Sequence, residues 1–323
     1  RRPSAPATRN ETPSATDIHP SCCIVLSLVR LFPPFAHGII EANRESFPRI
    51  QVHSGGGGVG AVRYADVVRE LNELAETGWK VTELAAADGY SILALTDPLR
   101  GRGGGDPLPQ LLIAAGIHGE EPAGVLGLVQ WLKEHAPRWV GRLHMDVAPC
   151  LNPWGFERGV RYARNGEDLN RQFDSPRHPA VQAFVRWIAG RRFDLFMDLH
   201  EDSDFEAMYL YELLDPWPGH GVRTLGRRIL DRAAVKVPLS DGDDVGDLKT
   251  SFGLIAGPLA RREAAAFVER PVAIEVFAHH AAHVVTVETP GRAELDLRIR
   301  LQVDALETAA EHLANQSEAA TVP

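Results

Sequence analysis

Residues 110–124 read QLLIAAGIHGEEPAG. Gln110 to Ala115 is an apolar run of strand length, Gly116 interrupts it, and Pro122 opens a helical pattern reaching about His135. Strand, tight turn and helix follow one another here, the unit from which parallel sheets covered by helices are built. His118 and Glu121 lie three residues apart in the turn, so one turn of backbone can aim both at a single point. An imidazole and a carboxylate are suitable ligands for zinc. Taken alone, such a pair is more often a solvated helix face.

The same alternation continues outward. A helix is predicted from Tyr64 to Gly78, with strands at Trp79–Leu84 and Ser91–Leu95 before the opening stretch. After it come strands at Leu143–Ala148, Phe193–Leu199, Glu206–Leu213 and Val284–Val287. Helices are predicted at Pro179–Ala189, Gly221–Ala234 and Leu297–Leu313. This is the pattern of an α/β fold with a mixed, largely parallel central sheet and helices on both faces. No internal repeat is present.

Composition narrows the function classes. The chain has 323 residues, 34 basic and 43 acidic side chains, and a formal charge of −9. An acidic balance argues against a nucleic-acid surface, which needs a basic face. Apolar residues at 44% supply a sizeable core and exclude wholesale disorder. Three cysteines, two of them adjacent (Cys22, Cys23), cannot build a disulfide framework. No run of 18 apolar residues occurs, so no spanning helix and no membrane partner are expected. Residues 1–58, rich in Pro and Ser and closed by Gly55–Gly58, read as a disordered tail or non-native leader, and 59–323 as one catalytic domain. The short apolar stretch Cys22–Val29 is a poor secretory core, since Arg30 interrupts its continuation, and a cytoplasmic location is expected. No Gly-Lys-Ser/Thr follows the glycine run, so it is not a phosphate-binding loop. Gly101–Gly105 reads as a surface turn.

Further chemistry-bearing elements follow in order. Phe193–His200 is an apolar strand ending in a histidine, and ligands collect outside the carboxyl ends of such strands. His200 would complete a His, Glu, His set with a fourth position open, the catalytic rather than structural zinc pattern. Asn152-Pro153-Trp154-Gly155 precedes Arg161-Tyr162-Ala163-Arg164-Asn165-Gly166-Glu167-Asp168-Leu169-Asn170-Arg171. Arginines near an asparagine suit carboxylate recognition, because guanidinium is a planar fork of donors. Asp168 is placed to orient a ligating histidine. Val285-Thr286-Val287-Glu288 is a β-branched strand ending in a carboxylate suited to proton transfer beside a metal.

These motifs, in this order, resemble the zinc carboxypeptidase superfamily, near its aspartoacylase/succinylglutamate desuccinylase and murein-peptide amidase branches. The resemblance spans about residues 105–310. It implies one zinc ion held by His118, Glu121 and His200, with Asp168 orienting the first histidine. It implies Arg164 as the oxyanion-stabilising arginine, Asn170 and Arg171 as the carboxylate grip, Arg161 as an auxiliary arginine, and Glu288 as general base and acid. The implied activity is hydrolysis of an amide bond in a small peptide with a free carboxylate, through metal-activated water. The alternatives are an N-acyl amino acid deacylase and a non-catalytic zinc- or peptide-binding module.

The chain departs from the digestive enzymes in having no tyrosine after Tyr211, so their mobile-loop tyrosine has no counterpart. Tyr209 and Tyr211 are expected in core packing. Glu275 competes with Glu288 as base, and the late-strand context favours Glu288. His279, His280 and His283 read as a solvated loop, and Asp241–Asp247 as an exposed loop at the rim of the site, without the closing glutamate that calcium binding needs. Cys150 is expected to be buried.

Overall fold

The computed structural model describes residues 51–53, 59–61, 63–99, 108–218, 222–245, 248–259 and 261–321. In chain order the elements are β1 Gln51–His53, β2 Val59–Ala61, α1 Tyr64–Glu76, β3 Lys80–Ala87, β4 Tyr90–Thr96, β5 Gln110–Ala115, α2 Pro122–Glu134 and β6 His144–Ala148. Then follow α3 Pro153–Phe156, α4 Pro179–Ile188, β7 Leu195–Asp202, β8 Tyr209–Leu214, α5 Leu225–Ala233, β9 Asp244–Val245, β10 Leu248–Lys249 and β11 Leu254–Ala256. The last are α6 Arg261–Ala264, α7 Val272–His279, β12 His283–Pro290 and α8 Leu295–Thr321.

Eight strands form one sheet in the order β11-β8-β12-β7-β5-β6-β4-β3. The middle run β12-β7-β5-β6 is parallel, while β8 runs antiparallel to β12 and β3 and β4 form an antiparallel edge. This is the mixed, largely parallel sheet that the sequence predicts. Central strands are buried on both faces, so β7 and β12 read as continuous rather than alternating burial. Leu195, Met197, Leu199, Val285 and Val287 face a core shared with α1, α2, α5 and α8. Phe196 and Val284 face the other core, which contains residues of α4 and α7.

Local chemistry sets the boundaries. Tyr64, Val67, Leu71 and Leu74 place one buried stripe on α1, and Gly78 ends it at φ +102°, a conformation costly for other residues. Pro122 at the first turn of α2 lacks an N–H that would have no helical partner there.

Three sequence expectations change. Val272–His279, where the sequence analysis predicts no element, is the helix α7, since a short apolar run does not separate strand from buried helix. The histidines beyond it are not a solvated loop: His280 and His283 are buried, His280 against the Arg191 carbonyl and His283 against Glu212. Gln51–His53, inside the segment expected to lack order, pairs antiparallel with Val59–Ala61. The rest of residues 1–58, including Cys22, Cys23 and the glycine run, lies outside the described residues, as do Gly101–Gly105 and Asp247. Cys150 is buried, as expected. No helix of the described residues is long and apolar enough to cross a membrane.

Candidate metal centre and active site

The turn after β5 delivers the first two ligand candidates. Gly119 lets this turn press on α3: a Cβ there would stand 2.0 Å from the Gly155 carbonyl carbon. His118 Nδ1 lies 2.7 Å from Glu121 Oε1. His200, at the carboxyl end of β7, places its Nδ1 2.7 Å from Glu121 Oε2. One carboxylate thus faces both imidazoles, and one donor atom from each of the three residues lies within 4.8 Å of the others. All three side chains are buried.

The far ring nitrogens are also assigned. His118 Nε2 faces Asp168 Oδ1 at 3.3 Å, and His200 Nε2 faces Asp198 Oδ2 at 3.2 Å. A carboxylate behind each imidazole leaves Nδ1 free to ligate and fixes the ring orientation. The role of Asp198 was missed in the sequence, although strand alternation puts residues 198 and 200 on one face.

Electrostatics of the bare site express the same convergence. Burial would raise the Glu121 pKa, but the charges of His118 and His200, and hydrogen bonds from both, hold it well below the usual carboxylate range. Burial disfavours protonated His200, yet Asp198 and Glu121 outweigh it and hold the imidazole well above its ordinary value. Two imidazoles and one carboxylate converge at one buried point. The donor set therefore fits a divalent ion, and the chemistry of two imidazoles and one carboxylate is that of a catalytic zinc site.

A cavity of about 370 Å³ opens over these ligands, lined by Arg161, Arg171, Glu201, Tyr209, Tyr211 and Glu288, among others. Glu288 stands opposite His200 in the β12–β7 ladder and opposite Tyr209 in the β12–β8 ladder. Burial first, and then the nearby Glu121, Asp202 and Asp198, raise its pKa well above the ordinary value against the pull of His200. Glu275, the competing candidate on α7, instead pairs with Arg270 and does not line the cavity.

The structure places the two arginines differently. Arg164 is exposed, its backbone N–H donates to Asp88, and it is not among the cavity-lining residues. Arg161, expected as auxiliary, enters the site instead. Its Nε donates to Asp168 Oδ2 at 3.1 Å and its Nη1 stands 3.7 Å from Glu121 Oε1. The Asn-Pro-x-Gly motif explains this: Asn152 Oδ1 caps α3 through the Gly155 N–H, and its Nδ2 donates to the Arg161 carbonyl. The loop register is thereby fixed at Arg161, and Arg164 falls on the outer side.

Arg171 lines the cavity, and burial pushes its pKa down to about 10, against the opposing charge of Asp168. Asn170 does not line it; its Oδ1 accepts from the Val272 N–H at 2.8 Å and tethers α7. Tyr209 and Tyr211 are not plain core residues. Their shared strand face is also the face of Glu288, which brings both to the cavity wall, with Tyr209 Oη donating to Asp202 Oδ2 at 2.5 Å. The Asp241–Val245 stretch contributes no residue to the cavity.

Comparisons with known proteins support a relationship of this fold to the zinc carboxypeptidase-like superfamily. Residues 107–256 match the succinylglutamate desuccinylase/aspartoacylase catalytic domain. Over 111 residues the chain is 30% identical to carboxypeptidase SOL1 of Arabidopsis thaliana, covering 28% of this chain and 23% of that protein. Over 76 residues it is 38% identical to murein peptide amidase A of Escherichia coli K12, covering 24% of this chain and 30% of the amidase. The chain thus spans less than a third of each of these relatives.

Among solved structures, a candidate metallopeptidase from Shewanella denitrificans OS217 superposes with a TM-score of 0.70 at 23% identity, over 84% of this chain and 99% of the other. One from Shewanella amazonensis SB2B gives 0.65 at 25% identity, over 77% and 93%. A metallo-carboxypeptidase from Burkholderia cenocepacia gives 0.57 at 18%, over 78% and 68%, and so shares the fold.

Proposed function

We propose that residues 59–323 form a zinc-dependent hydrolase that cleaves an amide bond in a small peptide bearing a free carboxylate. The observation that carries this reading is the meeting of His118, Glu121 and His200 at one point beneath a cavity that also holds Glu288, Arg161 and Arg171.

Zinc, when bound, would act as a Lewis acid and make water a nucleophile near neutral pH. The chain's own groups supply the rest. His118, Glu121 and His200 would hold the ion, with Asp168 and Asp198 fixing the orientation of the two imidazoles. Glu288, unionised more readily than an ordinary glutamate, accepts a proton from water at its carboxylate and returns it to the leaving nitrogen. Arg161, anchored by Asp168, is directed at charge developing on the scissile carbonyl oxygen. Arg171 remains a cation at neutral pH and takes the substrate carboxylate, which decides the bond presented to Glu288.

A second cavity of about 210 Å³ shares Tyr211 with the first. Leu248, Leu254, Ile255, Leu259, Ile274 and Thr286 line it. Thr286 lies opposite Tyr211 in the ladder and two residues before Glu288, on the same face. This apolar compartment favours a peptide with an apolar side chain over a single polar acyl group. The match of residues 107–256 to the desuccinylase/aspartoacylase domain supports the second reading, deacylation of an N-acyl amino acid.

A panel of C-terminally free peptides, their amides and N-acyl amino acids separates the two. Turnover of free peptides, lost on amidation, is expected. Turnover confined to single N-acyl amino acids would replace the peptidase reading with the deacylase one.

A further inference from the structure

His200 stands on a strand, and its main chain is held from outside the sheet. Gln302 of α8, fully buried, donates from Nε2 to the His200 carbonyl at 2.8 Å. The same nitrogen lies 3.3 Å from Thr289 Oγ1, and that hydroxyl donates to the His200 carbonyl at 3.5 Å. A carbonyl oxygen can only accept, so the amide must present its NH₂ there. Its Oε1 is then left buried without a partner. A buried acceptor without a partner costs stability.

The helix touches the other ligand-bearing element as well. One turn earlier, Arg298 donates to Glu201 Oε2, and Glu201 Oε1 accepts from the Ala123 N–H, just beyond Glu121, at 2.6 Å. Gly127 permits this approach: a Cβ there would stand 2.8 Å from Gln302 Cβ and 3.1 Å from the Ile299 carbonyl. α8 is thereby bonded both to the strand that carries His200 and, through Glu201, to the start of α2.

We propose that Gln302 is a positioning residue for the metal centre, fixing through the His200 carbonyl where that imidazole points relative to Glu121. The inference rests on the zinc reading above. Its subject is affinity for the ion rather than chemistry on the substrate.

The test is zinc affinity of the full chain by chelator competition, together with the visible spectrum of the cobalt(II)-loaded protein. Gln302→Met keeps the length of the side chain and removes the donor. Groups that hold a metal ligand in place typically account for about 10–100-fold in affinity, and a loss of that size with an altered cobalt spectrum is expected. Thr289→Val, a milder change, is expected to loosen the ion less, in the same direction. Leu306→Ala, buried on the same helix, is expected to lower the melting temperature while leaving zinc affinity within about twofold.

Wild-type affinity and an unshifted spectrum in both site variants would overturn the proposal. So would a Leu306→Ala variant that loses zinc as strongly as Gln302→Met. If Gln302→Met does not fold, Thr289→Val decides on the same criteria. A wild-type chain that takes up no divalent metal overturns the zinc assignment itself, and this inference with it.

Discussion

Glu288 and Arg161 are the two residues on which the proposed chemistry turns. Replacing Glu288 by Gln removes the proton acceptor while keeping the shape of the side chain. Turnover is expected to fall about 10²–10⁴-fold with zinc content unchanged, and steady-state kinetics with metal analysis checks both halves. Arg161→Ala is expected to lower kcat about 10²–10³-fold, and Arg164→Ala to leave it within about twofold. The reverse ranking would restore Arg164 to the site and sink the geometric assignment. His118, Glu121, His200 and Glu288 were legible in the sequence because motif order and strand ends name them without reference to distant packing. The choice between Arg161 and Arg164 was not, because it depends on which residue the Asn152 amide grips. The placement of Asn170 was not legible for a similar reason: its side-chain Oδ1 accepts from the Val272 N–H, a contact that crosses much of the chain.

At the scale of elements, the regular strands and helices from Tyr64 to α8 were readable from periodicity, often to within two residues. α7 was not, because its apolar run has no polar face. The tyrosines of β8 show a different limit. Alternation puts Tyr209 and Tyr211 together, but only the antiparallel pairing of β8 with β12 reveals that theirs is also the face of Glu288. α8 carries a titratable group of its own. Burial, then the nearby His283 and Arg228, push the His312 pKa down to about 4. The unfolded chain binds this proton near pH 6.5 while the folded one resists until about 4, so folding stability from this group is present above 6.5 and lost as pH falls toward 4. His312→Gln removes that titration, and its melting temperature is expected to fall less steeply than wild type between pH 6.5 and 4. Parallel melting curves across that window would contradict the assignment.

For the whole molecule, a resident ion adds to folding stability by binding only the assembled site. At a free zinc concentration 100 times the dissociation constant the gain is about 2.7 kcal/mol. Chelation is therefore expected to lower the melting temperature by several degrees and abolish turnover, with both restored by one equivalent of zinc. An unchanged melting temperature after complete metal removal would count against a shared centre.

The strand order has one more consequence. β12 is inserted between β7 and β8, although it follows both in the chain, and it brings Glu288 with it. A nascent polypeptide emerging from the ribosome can pair β5 with β7 and bring His118, Glu121 and His200 together long before that strand exists. Until translation has passed residue 290, such an intermediate has an incomplete sheet centre and lacks Glu288. If Glu288 carries the proton as proposed, hydrolysis has to wait until the late strand closes the gap.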